Sequence, residues 1–161
     1  MKSWSTLICL TLFVLQAMLI FAAPISLPQS PAQTGAGNGD VKAMLRLVNK
    51  QRRLNGQAPL RLDNRLIRAA QKHTDYQARV DQMTHDEPGR PMSSRVSETG
   101  FKWSAVGENV AKGYGSIEAV MVGWMNSPGH RSNILNPSYT HLGSGYSANG
   151  NYWTQNFARK A

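Results

Sequence analysis

The sequence predicts a layered α/β or α+β domain whose helices precede and interleave with an antiparallel sheet. Three observations carry that reading. In the first half, Val41, Met44, Leu45 and Val48 stand at i, i+3, i+4 and i+7, the spacing of one helix face. The C-terminal part alternates instead, through Leu142, Ser144 and Tyr146, and again from Tyr152 to Phe157. Asn149-Gly150 separates those two runs and is a strong hairpin signal. Helical and strand patterns in one chain of 161 residues bury their apolar faces against each other as layers of a single domain.

Each element has a local cause. Asp40 is placed to cap the first helix, and Gly56 stops it. Asp63 caps a second helix that carries Leu66, Ile67, Ala70, Gln77 and Val80 on its inner side. Residues 93–98 suit a short helical turn, and residues 105–111 read as a strand broken by Gly113 and Gly115. Ser116 caps a third long helix with Ile117, Val120, Met121 and Trp124 on one face. Pro128-Gly129 is expected to end that helix. The folded domain is expected over residues 40–158.

The residues before it have a different character. Lys2 precedes an apolar run over residues 7–21 that closes on Ala22-Ala23-Pro24. A basic start, an apolar stretch and small residues at its end mark a secretory signal peptide, expected over residues 1–23. The apolar stretch interrupted by Gln16 is shorter than the roughly 20 residues that a spanning helix needs. Residues 24–39 hold three Pro, three Gly and no charge, the composition of a flexible linker. The single cysteine, Cys9, falls within the leader, so the exported chain is expected to hold together without disulfides. The expected location is secreted and extracellular, and the expected state is a monomer.

The formal net charge is +9, and it is unevenly placed. Between Lys42 and Arg79 stand ten Lys or Arg against Asp63 and Asp75, a net +8. That surplus suits attraction to an anionic wall polymer or a membrane surface. On this reading, reversing Arg52, Arg53, Arg65 and Arg68 to Glu should abolish such binding. There is no nucleic-acid motif, and no nucleic-acid partner is expected.

The chain lacks HExxH, GxSxG and a phosphate loop. Its chemistry therefore rests on four His and a few acids. His73 falls seven residues after Leu66 and is expected to be a core histidine with one satisfied hydrogen bond. His85 lies just past the second helix, His130 follows Pro128-Gly129, and His141 begins a strand. Glu108 stands in an apolar strand, where a carboxylate is costly unless it is paired or faces a cleft. His85, Glu108 and His130 occupy element ends or a strand, where a scaffold presents functional groups. Two imidazoles and a carboxylate suit a divalent metal or acid–base work.

Longer blocks add to this. Gly107-Glu108-Asn109-Val110-Ala111 resembles the GEN-[IVL]-A signature of the CAP superfamily: cysteine-rich secretory proteins, antigen 5 and pathogenesis-related 1. The run from Trp124 to Leu135, WMNSPGHRSNIL, resembles the WMNSPGHRANIL block of the disulfide-free, SCP-like branch. His141 to Tyr146 and Tyr152 to Gln155 are similar to the two strands that follow it. The resemblance implies a three-layer α-β-α sandwich with a mainly antiparallel central sheet and a shallow cleft holding two His and two Glu. By motif position His85 and His130 match the histidines, and Glu108 matches one acid. The second acid falls three residues after the helix Trp, where this chain has Ser127. The cleft expected here is thus His85, Glu108, His130 and Ser127. The first three are the candidate ligands of a divalent metal such as zinc, although no cofactor is required. The missing acid and the lack of a nucleophile favour non-enzymatic binding of a lipid, sterol or wall or host-surface ligand. The alternative is a metal-dependent, peptidase-like hydrolase.

Overall fold

The structure, a computed structural model, describes residues 39–161. The expected leader and the linker before Gly39 lie outside the described residues. Helix α1 spans Val41–Leu54, and the Asp40 carboxylate accepts from the Lys42 and Ala43 N–H groups. These backbone donors satisfy an otherwise open helix start and lower the carboxyl pKa, the Ala43 bond foremost. After the helix, Gly56 adopts φ +72°, a conformation that suits a residue without Cβ. Strand β1, Arg61–Leu62, is a short element that the sequence pattern did not mark. Helix α2 spans Asn64–Val80 under the expected Asp63 cap, and Asp81 ends it in the left-handed region. Its buried face holds Leu66, Ala69, Ala70, His73, Thr74 and Gln77, whereas Val80 is exposed.

Helix α3, Met92–Ser97, leads into β2, Trp103–Ala111. Helix α4 spans Ile117–Asn126 behind a Ser116 cap. The expected stop at Pro128-Gly129 is corrected here: α5 begins at Pro128 and runs to Leu135. A proline at the first helical position has no N–H to lose and a preset φ, so it starts a helix as well as it ends one. His130 therefore lies in the first turn of α5 rather than in a post-helix turn. Strands β3, His141–Ser147, and β4, Tyr152–Lys160, form the expected hairpin around Gly150 at φ +79°.

The sheet order is β1-β3-β4-β2. β1 runs parallel to β3, and the other pairs are antiparallel, so the sheet is mixed but mostly antiparallel, as expected. One face packs against α1, α4 and α5 through Met44, Val48, Trp124, Ile134, Leu142 and Phe157. The other packs against α2 and α3 through Leu66, Ala69, Val96, Phe101 and Ala158. Each fully buried large side chain contributes about 1.5–3 kcal/mol, so the first face supplies the greater share of stability. α2 lies very close to the sheet: a Cβ on Gly143 would stand 2.1 Å from the Leu66 carbonyl carbon. The result is the three-layer α-β-α sandwich, with β2 as one edge strand.

Arg52 departs from the charge reading. It is fully buried and makes its bonds to main-chain carbonyls, so it belongs to the scaffold rather than to an anion-binding face. Arg65 is held by Asp63, with Nη2 at 2.6 Å from Oδ2, and stacks over Phe101.

Candidate functional site

The cleft is built around Glu108 in the middle of β2. Its side chain is 2% exposed, and an ionised carboxylate at that depth needs partners. Arg95 of α3 supplies them: one terminal nitrogen donates to Oε1 at 2.9 Å and to Oε2 at 2.7 Å. His85 faces Oε1 at 3.0 Å through Nδ1. Because a carboxylate only accepts, Nδ1 carries the proton and Nε2 is turned away from Glu108. Asn156, opposite Glu108 on β4, completes the set. With its amide nitrogen toward the carboxylate it donates to Oε2 at 3.0 Å, and its oxygen accepts from the Ala70 N–H at 3.2 Å. A carboxylate offers about four acceptor sites. Arg95, His85 and Asn156 fill all of them.

The loop that presents His85 is tied down from three sides. Gln77 accepts from the Thr84 N–H at 3.2 Å, and His73 Nε2 donates to the Thr84 carbonyl at 2.8 Å. Arg95 reaches the His85 carbonyl at 2.9 Å. His73 is thus the buried histidine with one satisfied bond that its spacing predicted. Its other nitrogen faces Glu87 Oε2 at 3.5 Å, and neither atom has a hydrogen-bond partner.

His130 reaches the same region from α5. Asn109, the residue after Glu108, donates to the His130 carbonyl at 3.2 Å and to Gln155 at 3.1 Å. Asn133 of α5 donates back to the Glu108 carbonyl and to Asn109. Gly107 allows this approach, since a Cβ there would stand 2.3 Å from the Tyr139 hydroxyl. The Gly-Glu-Asn and Gly-His-Arg-Ser-Asn blocks therefore clasp β2 to α5.

The two imidazoles differ electrostatically. The Glu108 bond raises the His85 pKa above its usual 6.5 against the opposing effects of burial and Arg95. Burial lowers that of His130, and the nearby His85 lowers it further. His85 therefore stabilises the fold fully below 6.5, and that contribution fades as pH rises through its folded value. We expect two resolved imidazole titrations by NMR, His85 above 6.5 and His130 below it. Coincident midpoints would mean that Glu108 does not hold His85.

The structure thus brings His85 and Glu108 into contact and His130 within electrostatic reach. Ser127 lies between α4 and α5, and its hydroxyl bonds to none of the three among the described residues. Arg95, Asn109, Asn133 and Asn156 were not read as site residues from the sequence.

The pattern of the cysteine-rich secretory protein family, CAP, matches residues 45–157. The chain belongs to the CAP family. The Bacillus subtilis (strain 168) protein YkwD is 39% identical to this CAP protein over 121 residues, 74% of this chain and 47% of YkwD. The chain thus spans about half the length of that curated relative. An extracellular SCP-domain protein of Bacillus anthracis superposes with a TM-score of 0.72 at 30% identity. That match covers 84% of this chain and 45% of the other. An outer surface protein of Borrelia burgdorferi shares the fold, with a TM-score of 0.70 at 19% identity over 74% of this chain and 92% of its own.

The family resemblance raised a divalent metal. In this CAP domain Glu108 itself is not free to ligate one. Among the described residues no three His, Cys, Asp or Glu side chains are arranged to hold a metal ion. Glu108 has no free acceptor site, and a guanidinium stands 2.7 Å from it, where a cation would need the negative charge.

Proposed function

We propose that this CAP domain works outside the cell as a non-enzymatic binding module, with the His85–His130 cleft receiving a polar or anionic group of its ligand. The supporting observation is the saturated Glu108 carboxylate. A group with all its acceptor sites filled by donors is a poor base and a poor metal ligand. It acts instead as a fixed anchor that holds His85 Nδ1, raises the imidazole pKa and leaves Nε2 turned away from the carboxylate. The more basic imidazole of His85 and the less basic one of His130 together offer ring nitrogens that can donate to and accept from a polar group. The extracellular surroundings of the Bacillus anthracis relative and the leader-like first residues support the location.

An acyl ligand is the second reading. Leu47, Met121, Val122 and Met125 line a groove of about 230 Å³ between α1 and α4, with Lys50 and Glu118 at its rim. That volume lies below the ~300 Å³ lower end of drug-sized pockets. It fits a length of acyl chain better than a sterol ring system.

Native mass spectrometry of protein secreted into the medium would reveal a retained ligand. Calorimetric titration with zinc chloride should give no site tighter than about 0.1 mM, equivalent to about −5.5 kcal/mol. A micromolar zinc site that is lost in His130→Ala would overturn the metal-free reading and restore the hydrolase.

A further inference from the structure

We propose a second site, at the β1 side of the sheet, that binds a soluble polymer bearing repeated phosphate groups. It lies across the sheet from the cleft, which is built on the opposite edge strand β2. Arg61, Thr140, His141, Arg159 and Lys160 line a shallow pocket there, about 380 Å³ in volume, with Pro59 at its margin.

The register explains why the cations converge. Arg61 pairs with His141, and His141 pairs with Ala158, so β1, β3 and β4 end side by side. Arg61, Arg159 and Lys160 are all exposed, and none forms an ion pair among the described residues. The nearby acid, Asp63, is already engaged by Arg65 through two hydrogen bonds, at 2.9 and 2.6 Å. Burial pushes the His141 pKa down, and Lys160, Arg61 and Arg65 press it further against the pull of Asp63. Asp63 acts on His141, but among the described residues no carboxylate forms an ion pair with Arg61, Arg159 or Lys160, so the site concentrates positive charge.

Guanidinium forks match phosphate oxygens, whereas the Thr140 hydroxyl is already engaged by His141 Nδ1 at 2.8 Å and the Ala158 carbonyl at 3.4 Å. Neighbouring strands lie about 4.8 Å apart, which sets Arg61 and the β4 cations about 10 Å apart at the main chain. That spread suits successive anionic groups along a chain better than one ion. The exposed large apolar side chains, Leu54, Val80, Met83, Tyr114 and Val122, are absent from this pocket, so nothing here is placed to enter a bilayer. Phe101 is buried, and no Phe, Tyr or Trp lines this pocket, so His141 is its one aromatic ring.

The test uses the full exported protein and long-chain inorganic polyphosphate as probe, by calorimetry at low and physiological salt. Arg61→Gln/Arg159→Gln/Lys160→Gln should weaken binding at least about tenfold. Lys42→Gln/Arg46→Gln/Lys50→Gln removes the same charge from exposed positions of α1 and should weaken it less than about threefold. Equal losses would mean that net charge alone attracts the polymer, and the site would be abandoned. Wild-type binding to phosphatidylglycerol vesicles without binding to polyphosphate would assign the cations to lipid headgroups and overturn the polymer reading. Should the triple variant fail to fold, the His141 imidazole resonance of wild type must still shift on adding polyphosphate; an unmoved resonance also overturns the proposal. None of these outcomes touches His85 or His130, so failure here is separable from failure of the cleft reading.

Discussion

Arg95→Met is expected to lower folding stability by about 3–5 kcal/mol, the cost of breaking a buried pair from one side. Arg95 and Glu108 have side chains only 2% exposed, so removal of the guanidinium strands a carboxylate away from water. It also frees the His85 carbonyl, which Arg95 holds at 2.9 Å, and the Arg90 carbonyl at 3.3 Å. Urea denaturation measures the loss. Arg95→Met/Glu108→Gln should be less destabilised than the sum of the two single variants, because neither charge is then left alone. Strictly additive losses would show that the pair is not coupled. A second readout separates charge from packing. Arg95 opposes protonation of His85, so the His85 midpoint should rise further in Arg95→Met than in wild type. The same variant opens two acceptor sites on Glu108. If it binds zinc where wild type does not, the guanidinium stands where a metal's charge would otherwise be needed.

This site was half legible in the sequence. Glu108 stood out because a carboxylate in an apolar strand demands a partner, and its neighbours Gly107 and Asn109 carried the family signature. His85 and His130 were found at element ends for a similar reason. Arg95 carried no such mark. It is one of 18 basic residues, and its burial follows from the approach of α3 to β2, a tertiary event without local periodicity. Asn156 was hidden for a related reason: its partner is fixed by the β2–β4 register, which no single strand encodes. The elements themselves were more legible, because caps and periodicity act locally. Asp40, Asp63 and Ser116 all cap as expected. The miss at Pro128 arose because the same dipeptide suits the end of one helix and the start of the next. The tight Ser127 junction allows both.

Arg52→Met is expected to destabilise the domain by roughly 3 kcal/mol or more, whereas Arg53→Ala, one residue away, should change stability by less than about 0.5 kcal/mol. Composition treats the two arginines alike, and the fold does not. Arg53 is exposed; Arg52 is fully buried and donates to Ala58 at 2.7 Å, Ile134 at 2.8 Å, Asn136 at 2.9 Å and Tyr139 at 3.5 Å. Two of those carbonyls lie at the end of α5, where the helix has open acceptors and partial negative charge. Burial lowers the Arg52 pKa, but from so high a value that the group stays charged. Methionine fills much the same volume yet leaves these carbonyls without a donor. Lysine keeps the charge but cannot fork to the same acceptors, so Arg52→Lys should recover only part of the loss. Urea midpoints for the three variants test this. If Arg52→Met matches Arg53→Ala, the buried bonds contribute nothing net. The same reasoning revises the charge-reversal experiment on Arg52, Arg53, Arg65 and Arg68. Its effect on anion binding would be confounded by unfolding at Arg52, so anion binding must be tested with exposed residues.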